Sequence, residues 1–264
     1  MPGSCDPVSE QSEQLERTIE QLARERDLFE AEIRRLETVR RDFVANVSHE
    51  LRTPVSIIQA NAETLLLGGL DEPATARRFL DAVRRNAERL GQLISDLLDI
   101  SRIEAGRYEI ELEPLSLSSV ARSVSCSVSE TCRSRSVVFE VDIDPQLRVC
   151  ADPRALEQVL VNLVENAVEY GPKGGTVELV AVEQDAAVRI EVRDEGPGIA
   201  PDHRSRVFER FYRVDPGRSR HMGGTGLGLA IVKNLSEAMG GEVGVEPRAP
   251  EGSCFWIRLG KVAA

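Results

Sequence analysis

Aromatic residues are scarce in this 264-residue chain, 4% in all with a single Trp. A core must therefore be assembled from Leu, Val, Ile and Ala. Basic residues are also short: 33 Lys and Arg face 44 Asp and Glu, a net charge of −11. Affinity for nucleic acid comes chiefly from clustered Lys and Arg, so this balance argues against direct nucleic-acid binding. No charge-free apolar run approaches the ~18–20 residues that cross a bilayer. The first ten residues lack the basic and apolar segments of a signal peptide, so a cytoplasmic chain is expected. The five cysteines, Cys5, Cys126, Cys132, Cys150 and Cys254, show no CxxC spacing. They read as scattered thiols rather than a metal site or a disulfide framework.

What is present begins with a heptad. Residues 11 to 45 contain no Gly or Pro. Leu15, Ile19, Leu22, Arg26, Phe29, Ile33, Leu36, Arg40 and Phe43 recur in alternating steps of four and three. That is the seam of a coiled coil, broken at Arg26 and Arg40. Such a polar helix is marginal alone, so a dimer is expected. The periodicity continues to about Leu67. Pro54 is expected to interrupt it and bend the axis, and Gly68-Gly69 to stop it.

Asp71 reads as an N-cap with Pro73 in the first turn. A second helix follows, with Phe79, Val83, Leu90, Leu93, Leu97, Ile100 and Ile103 on one stripe, ending near Gly106. One hairpin has too little core to stand alone, and two pair economically as a four-helix bundle. Beyond Gly106 the pattern becomes α+β. Strands are expected at Tyr108 to Leu112, Val137 to Ile143, Thr176 to Val182, Ala187 to Arg193, Glu242 to Glu246 and Ser253 to Leu259. The second of the middle pair follows a turn at Gln184-Asp185. Helices are expected from Leu117 to Cys132, after the cap Asp152-Pro153 to about Tyr170, and from Leu227 to Met239.

Four stretches carry chemistry. In the run from Phe43 to Pro54, His49 faces outward, with Glu50 beside it and Thr53 one turn on. An imidazole that attacks phosphorus needs one free nitrogen and a proton acceptor at the other, which a neighbouring carboxylate supplies. The Thr53 hydroxyl could position a water against a phosphorylated ring. A solvated surface His is the plain alternative. Asn162 and Asn166 share a helical face at i, i+4, and their amide oxygens suit Mg²⁺; an exposed Asn pair explains the spacing equally well. Asp194-Glu195-Gly196-Pro197-Gly198-Ile199 follows a strand. A buried carboxylate there can accept from an adenine amino group, although a simple turn accounts for the string too. Gly223 to Leu229 opens a helix with exposed N–H groups, an anion site in form. It has neither the Lys of a P-loop nor the preceding strand of a dinucleotide fingerprint.

Taken in order, these residues resemble the sensor histidine kinases of two-component systems, of the HisKA type. The His box is Ser48 to Pro54, the Asn box Asn162 to Ala167 and the first Gly box Asp194 to Gly198. An F box runs from Val207 to Arg213, and the second Gly box from Gly224 to Leu229. The resemblance covers about residues 38 to 260. It implies a multidomain chain: an all-α helical hairpin forming a dimeric four-helix bundle, then an α+β ATP-binding sandwich with a mixed sheet. The expected division is 1–10 flexible N-terminus, 11–42 coiled-coil signalling helix, 43–106 dimerisation and phosphotransfer, and 107–264 catalytic ATP binding.

By the same resemblance His49 is the phosphoacceptor, Glu50 its acid/base partner, and Thr53 the residue that orients water when a regulator is dephosphorylated. Asn166, helped by Asn162, ligates Mg²⁺. Asp194 recognises adenine, in a site shared with Gly196, Gly198 and Ile199. Tyr170 and Arg213 line the phosphates of ATP. Gly224, Thr225, Gly226, Leu227 and Gly228 offer backbone N–H groups, and residues 200 to 224 form a lid. Glu169 stands where many relatives carry Lys. It would repel a triphosphate, so Arg213 or Lys233 is expected to compensate. No receiver domain follows residue 260, so the acceptor Asp is expected on a separate response regulator, chosen by bundle faces near residues 56 to 67. The sensor would come from an upstream membrane receptor or from a partner. Three rivals remain at this point: a non-catalytic ATP-binding scaffold, an anti-sigma-type serine kinase, and an ATP-hydrolysing chaperone or topoisomerase fragment. The His-bearing hairpin speaks against the second, and Asn162, which cannot act as a base, against the third.

Overall fold

The architecture was read from a computed structural model describing residues 7–69, 72–214 and 224–262. Two units are distinguished, Met1–Thr53 and Pro54–Ala264. The first is helical, formed by the leading part of α1 (Pro7–Thr64). Exposed i, i+4 pairs of Glu30 with Arg26 and Arg34 support it, at 3.8 and 3.5 Å. Each such pair is worth only ~0.3–0.5 kcal/mol. Of the seam positions, Leu22, Phe29 and Ile33 are exposed in the single chain. The side chains of Leu15, Ile19, Leu36 and Arg40 lie outside the described residues. No helix among the described residues is long and apolar enough to cross a membrane.

The helix does not break at Pro54. It runs through the proline to Thr64, and the ring is buried. It ends instead in a wide turn, Leu65–Gly69, where Gly68 takes φ 114°. That value costs little in a residue without Cβ. Asp71 lies outside the described residues, and the N-cap position of α2 (Pro73–Glu104) is held by Glu72.

The rest of the second unit is a layer of helices on a sheet. Its elements are β1 (Glu113–Ser116), α3 (Leu117–Arg135), β2 (Val138–Asp142), β3 (Arg148–Ala151), α4 (Pro153–Tyr170), β4 (Thr176–Gln184), β5 (Ala187–Arg193), α5 (Pro201–Arg204), α6 (Gly228–Ala238), β6 (Glu242–Pro247) and β7 (Ser253–Gly260). Among the described residues the main sheet has order β2-β4-β5-β7-β6. β2 and β4 are parallel and the other neighbours antiparallel, which makes the sheet mixed. Alternation sets its two faces. Val188, Ile190 and Val192 point inward opposite Leu259, Ile257 and Phe255. Leu156, Leu160 and Leu163 of α4 and Ile231 and Leu235 of α6 complete the core. Fully burying each such side chain contributes ~1.5–3 kcal/mol. The outer face is charged: Glu191 accepts from both Arg189 and Arg193, and the Arg189 guanidinium lies 4.7 Å from the Trp256 ring centre.

Two local expectations shift. Tyr108 to Leu112 is not a strand. The Glu111 N–H is taken by Asp152 Oδ2 at 3.0 Å, and strand pairing starts later, at Glu113 opposite Ala151. The β4–β5 hairpin pairs Gln184 with Ala187, so its turn is Asp185-Ala186, with Asp185 at φ 50°. A two-residue loop of this kind favours positive φ.

Candidate active site

His49 is exposed on α1, with Val47 and Leu51 half-buried beside it. One turn on, the Thr53 hydroxyl donates to the His49 carbonyl oxygen at 3.2 Å. That bond holds the threonine against the helix on the histidine's side.

The second unit gathers most of the remaining candidates around α4 and the start of α6. Asp152 caps α4: its Oδ1 accepts from Arg154 N at 3.0 Å and Ala155 N at 2.9 Å. This fixes the helix carrying Asn162, Asn166, Glu169 and Tyr170. Asn162 turns its Nδ2 toward the Gly228 carbonyl at 3.5 Å, which leaves its amide oxygen for another partner. Asn162 and Asn166 thus offer neutral oxygen donors of the kind a hard cation accepts.

Asp194 follows β5 and is only 4% exposed. Its Oδ1 accepts from Gly196 N at 2.7 Å and Ser253 N at 3.2 Å. Burial pushes this carboxyl above its usual range, against the pull of the two N–H groups. The Gly196 backbone passes so close that a Cβ there would lie 2.8 Å from Asp194 Oδ1 and 3.1 Å from the Tyr170 carbonyl. Gly198, at φ +72°, approaches the Gly252 carbonyl in the same way. The Ile199 carbonyl accepts from Arg204 Nε at 3.0 Å.

The F box is stitched to the second Gly box. Phe211 N donates to the Gly226 carbonyl at 2.7 Å, and the Arg213 guanidinium donates to the Gly224 carbonyl. Gly226 sits at φ +72°, and a Cβ there would lie 3.1 Å from Phe211 Cα. Thr225 Oγ1 accepts from Leu227 N at 3.2 Å, and α6 begins at Gly228. Glu169 faces this loop: a Cβ on Gly224 would lie 3.6 Å from its carboxyl oxygens and 3.8 Å from the Tyr170 hydroxyl. Burial raises the Glu169 carboxyl, while Arg135, the Gly224 N–H and Arg213 pull it down. Residues 215 to 223 of the expected lid, Gly223 among them, lie outside the described residues.

Lys233 does not serve the loop. It lies five residues past Gly228, about 140° around the helix at 3.6 residues per turn. It pairs with Glu237 at 3.8 Å and lines a groove beside Trp256. Arg135 and Arg213 are the cations next to Glu169. Sequence reasoning passed over Arg135, Gly252, Ser253 and Asp96. Only Gly252 left a signal, as a glycine just before a strand.

Residues 39–106 match the His Kinase A (phospho-acceptor) domain, and residues 151–262 match the histidine kinase-, DNA gyrase B- and HSP90-like ATPase. The sensor-like histidine kinase SenX3 of Mycobacterium tuberculosis is 38% identical over 225 residues, 85% of this chain and 55% of SenX3. The chain thus spans about half the length of that relative. Among solved structures, full-length ShkA in complex with AMPPNP has a TM-score of 0.61 at 31% identity, covering 80% of this chain and 47% of ShkA. Histidine kinase ThkA in complex with the response regulator protein TrrA has a TM-score of 0.67 at 26% identity, covering 84% and 61%. With both domain types in this order on one chain, the protein belongs to the sensor histidine kinases of two-component systems.

Proposed function

We propose that this chain is an ATP-dependent protein-histidine autokinase. One imidazole nitrogen of His49 attacks the γ-phosphorus of ATP, the bond to the β–γ bridging oxygen breaks, and ADP leaves. Glu50 accepts the proton from the other ring nitrogen. The phosphoryl group then passes to a carboxylate oxygen of an Asp on a separate response regulator, the N–P bond breaks, and the ring takes back a proton to become neutral imidazole. Catalysis here is mostly positioning and charge neutralisation.

The observation that carries this reading is an exposed His49 with a half-buried Glu50 beside it on a helix, in the same chain as a glycine-lined site built on Asp194. Asp194 recognises the adenine amino group, flanked by Gly196, Gly198 and Ile199. Arg213, Tyr170 and the N–H groups from Gly224 to Gly228 hold the phosphates. Asn166 and Asn162 would hold Mg²⁺, which when bound offsets phosphate charge. Thr53 supports a phosphatase reaction on the regulator by orienting a water. The chain acts as a homodimer through the hairpin bundle and coiled coil, at the cytoplasmic end of a sensor. The ThkA complex with a regulator and the ShkA complex with a nucleotide analogue support the partner and the substrate.

Labelled ATP with Mg²⁺ tests it. Acid-labile, alkali-stable label should appear on the wild type and vanish in His49→Gln and Asn166→Ala. A wild type that binds ATP yet takes no label would favour the non-catalytic scaffold instead.

A further inference from the structure

α2 is the outgoing helix of the hairpin, yet it places a carboxylate inside the nucleotide domain. Asp96 is 5% exposed, on the same face as the buried Leu93 and Ile100. An apolar residue would ordinarily occupy such a position, and a buried carboxylate persists only when its hydrogen bonds are made. Asp96 Oδ1 accepts from Gln92 Nε2 at 2.8 Å. Its Oδ2 accepts from Thr225 Oγ1, also at 2.8 Å. One turn on, Asp99 Oδ2 accepts from Gln158 Nε2 of α4 at 2.9 Å. The hairpin helix therefore holds both sides of the site: the loop before α6 through Thr225, and α4 through Gln158.

The geometry points to an autoinhibitory latch, in which the Asp96–Thr225 hydrogen bond seats the second Gly box on α2 and a bound triphosphate and this seat exclude each other. The inference rests on the ATP reading of the loop. Two effects act together. The Thr225 oxygen already occupies the Leu227 N–H, one of the donors a phosphate would use. The Asp96 carboxylate lies only two hydrogen bonds from that N–H, and like charges repel strongly where water is excluded. ATP binding thus releases the loop from α2 and frees the nucleotide domain from its own hairpin. Coupling of this kind is reciprocal: removing the seat tightens ATP binding by the factor with which ATP loosens the seat.

The test uses the full chain and titration with a fluorescent ATP analogue and Mg²⁺. Asp96→Asn keeps an acceptor and loses the charge. Asp96→Ala loses both. Gln158→Ala loosens the second contact without touching the loop. The expected Kd falls about tenfold for Asp96→Ala and less for the other two. In the wild type, amide exchange across residues 92 to 100 should quicken on adding ATP. Unchanged or weaker affinity in all three variants, with the wild type still binding ATP, overturns the latch and leaves the ATP site standing. A wild type that binds no ATP overturns the ATP reading itself.

Discussion

Gly252 presses on the backbone of Asp194: a Cβ at position 252 would lie 2.0 Å from the Asp194 carbonyl oxygen. Its φ of +127° is one that side chains rarely adopt. The neighbouring Ser253 N–H donates to the Asp194 carboxyl, and the Ser253 carbonyl accepts from Asp194 N at 2.9 Å. Gly252→Ala should therefore push Asp194 out of place. Expected outcomes are a loss of about 3 kcal/mol in stability, read by denaturant melting, and at least tenfold weaker ATP binding. Unaltered binding would show that Asp194 is held by other means.

Thr53→Ala should separate the two proposed activities. The Thr53 hydroxyl is tied to the His49 backbone, not to the imidazole. Thr53→Ala should leave the rate of His49 labelling within about twofold, since a solvated helix surface tolerates the change. Dephosphorylation of the phosphorylated regulator should slow by tenfold or more. Equal dephosphorylation rates would remove Thr53 from the phosphatase reaction.

Glu169, whose carboxyl lies against Gly224, would oppose the charge of a bound triphosphate. Glu169→Gln keeps the shape and removes the repulsion, so the Kd for ATP should fall about fivefold in calorimetric titration. Weakened binding would instead mean that Glu169 is needed to position Arg135 and Arg213.

Glu191 gives a pH signature. Burial alone would raise its carboxyl, but the bonds from Arg193 and Arg189 outweigh it and hold the group below 4.5. A depressed carboxyl stabilises the fold above its unfolded value, and that contribution is lost as pH falls through the folded value. The wild type should lose stability from about pH 4.5 downward, following that usual glutamate value. Glu191→Gln should be less stable at pH 7 by about 1–2 kcal/mol, because two guanidiniums lose a shared carboxylate while Arg189 keeps Glu246. Its stability should fall less on acidification. Parallel pH curves for the two proteins would contradict this.

Much of the fold is legible because local chemistry and periodicity agree. Asp152-Pro153 announces α4 by capping chemistry, and the alternation in Ala187 to Arg193 is the alternation of β5 faces. The glycines at 196, 198 and 226 mark places where backbones touch. What escapes notice is of two kinds. Tyr108 to Leu112 alternates like a strand, but its Glu111 N–H is claimed by a side chain 41 positions away. Asp96 reads as an unremarkable polar residue in a long helix, because its partner Thr225 is 129 positions distant. Neither partner leaves a periodic trace, so such contacts are visible only once the chain has folded.

Among the described residues the main sheet ends at β2 and at β6, and both margins carry charged side chains. Glu140 and Asp142 lie on one; on the other Glu242 and Glu246 pair with Arg258 and Arg189, each at 2.8 Å, and Pro247 lacks an N–H. Two copies meeting at their β2 margins would set carboxylate against carboxylate, in a chain that already carries −11. Charge at β2 and the missing N–H of Pro247 at β6 both disfavour strand addition. The helices, by contrast, leave apolar side chains uncovered, Leu22, Phe29 and Ile33 of α1 and Leu80, Ile94 and Leu98 of α2 among them.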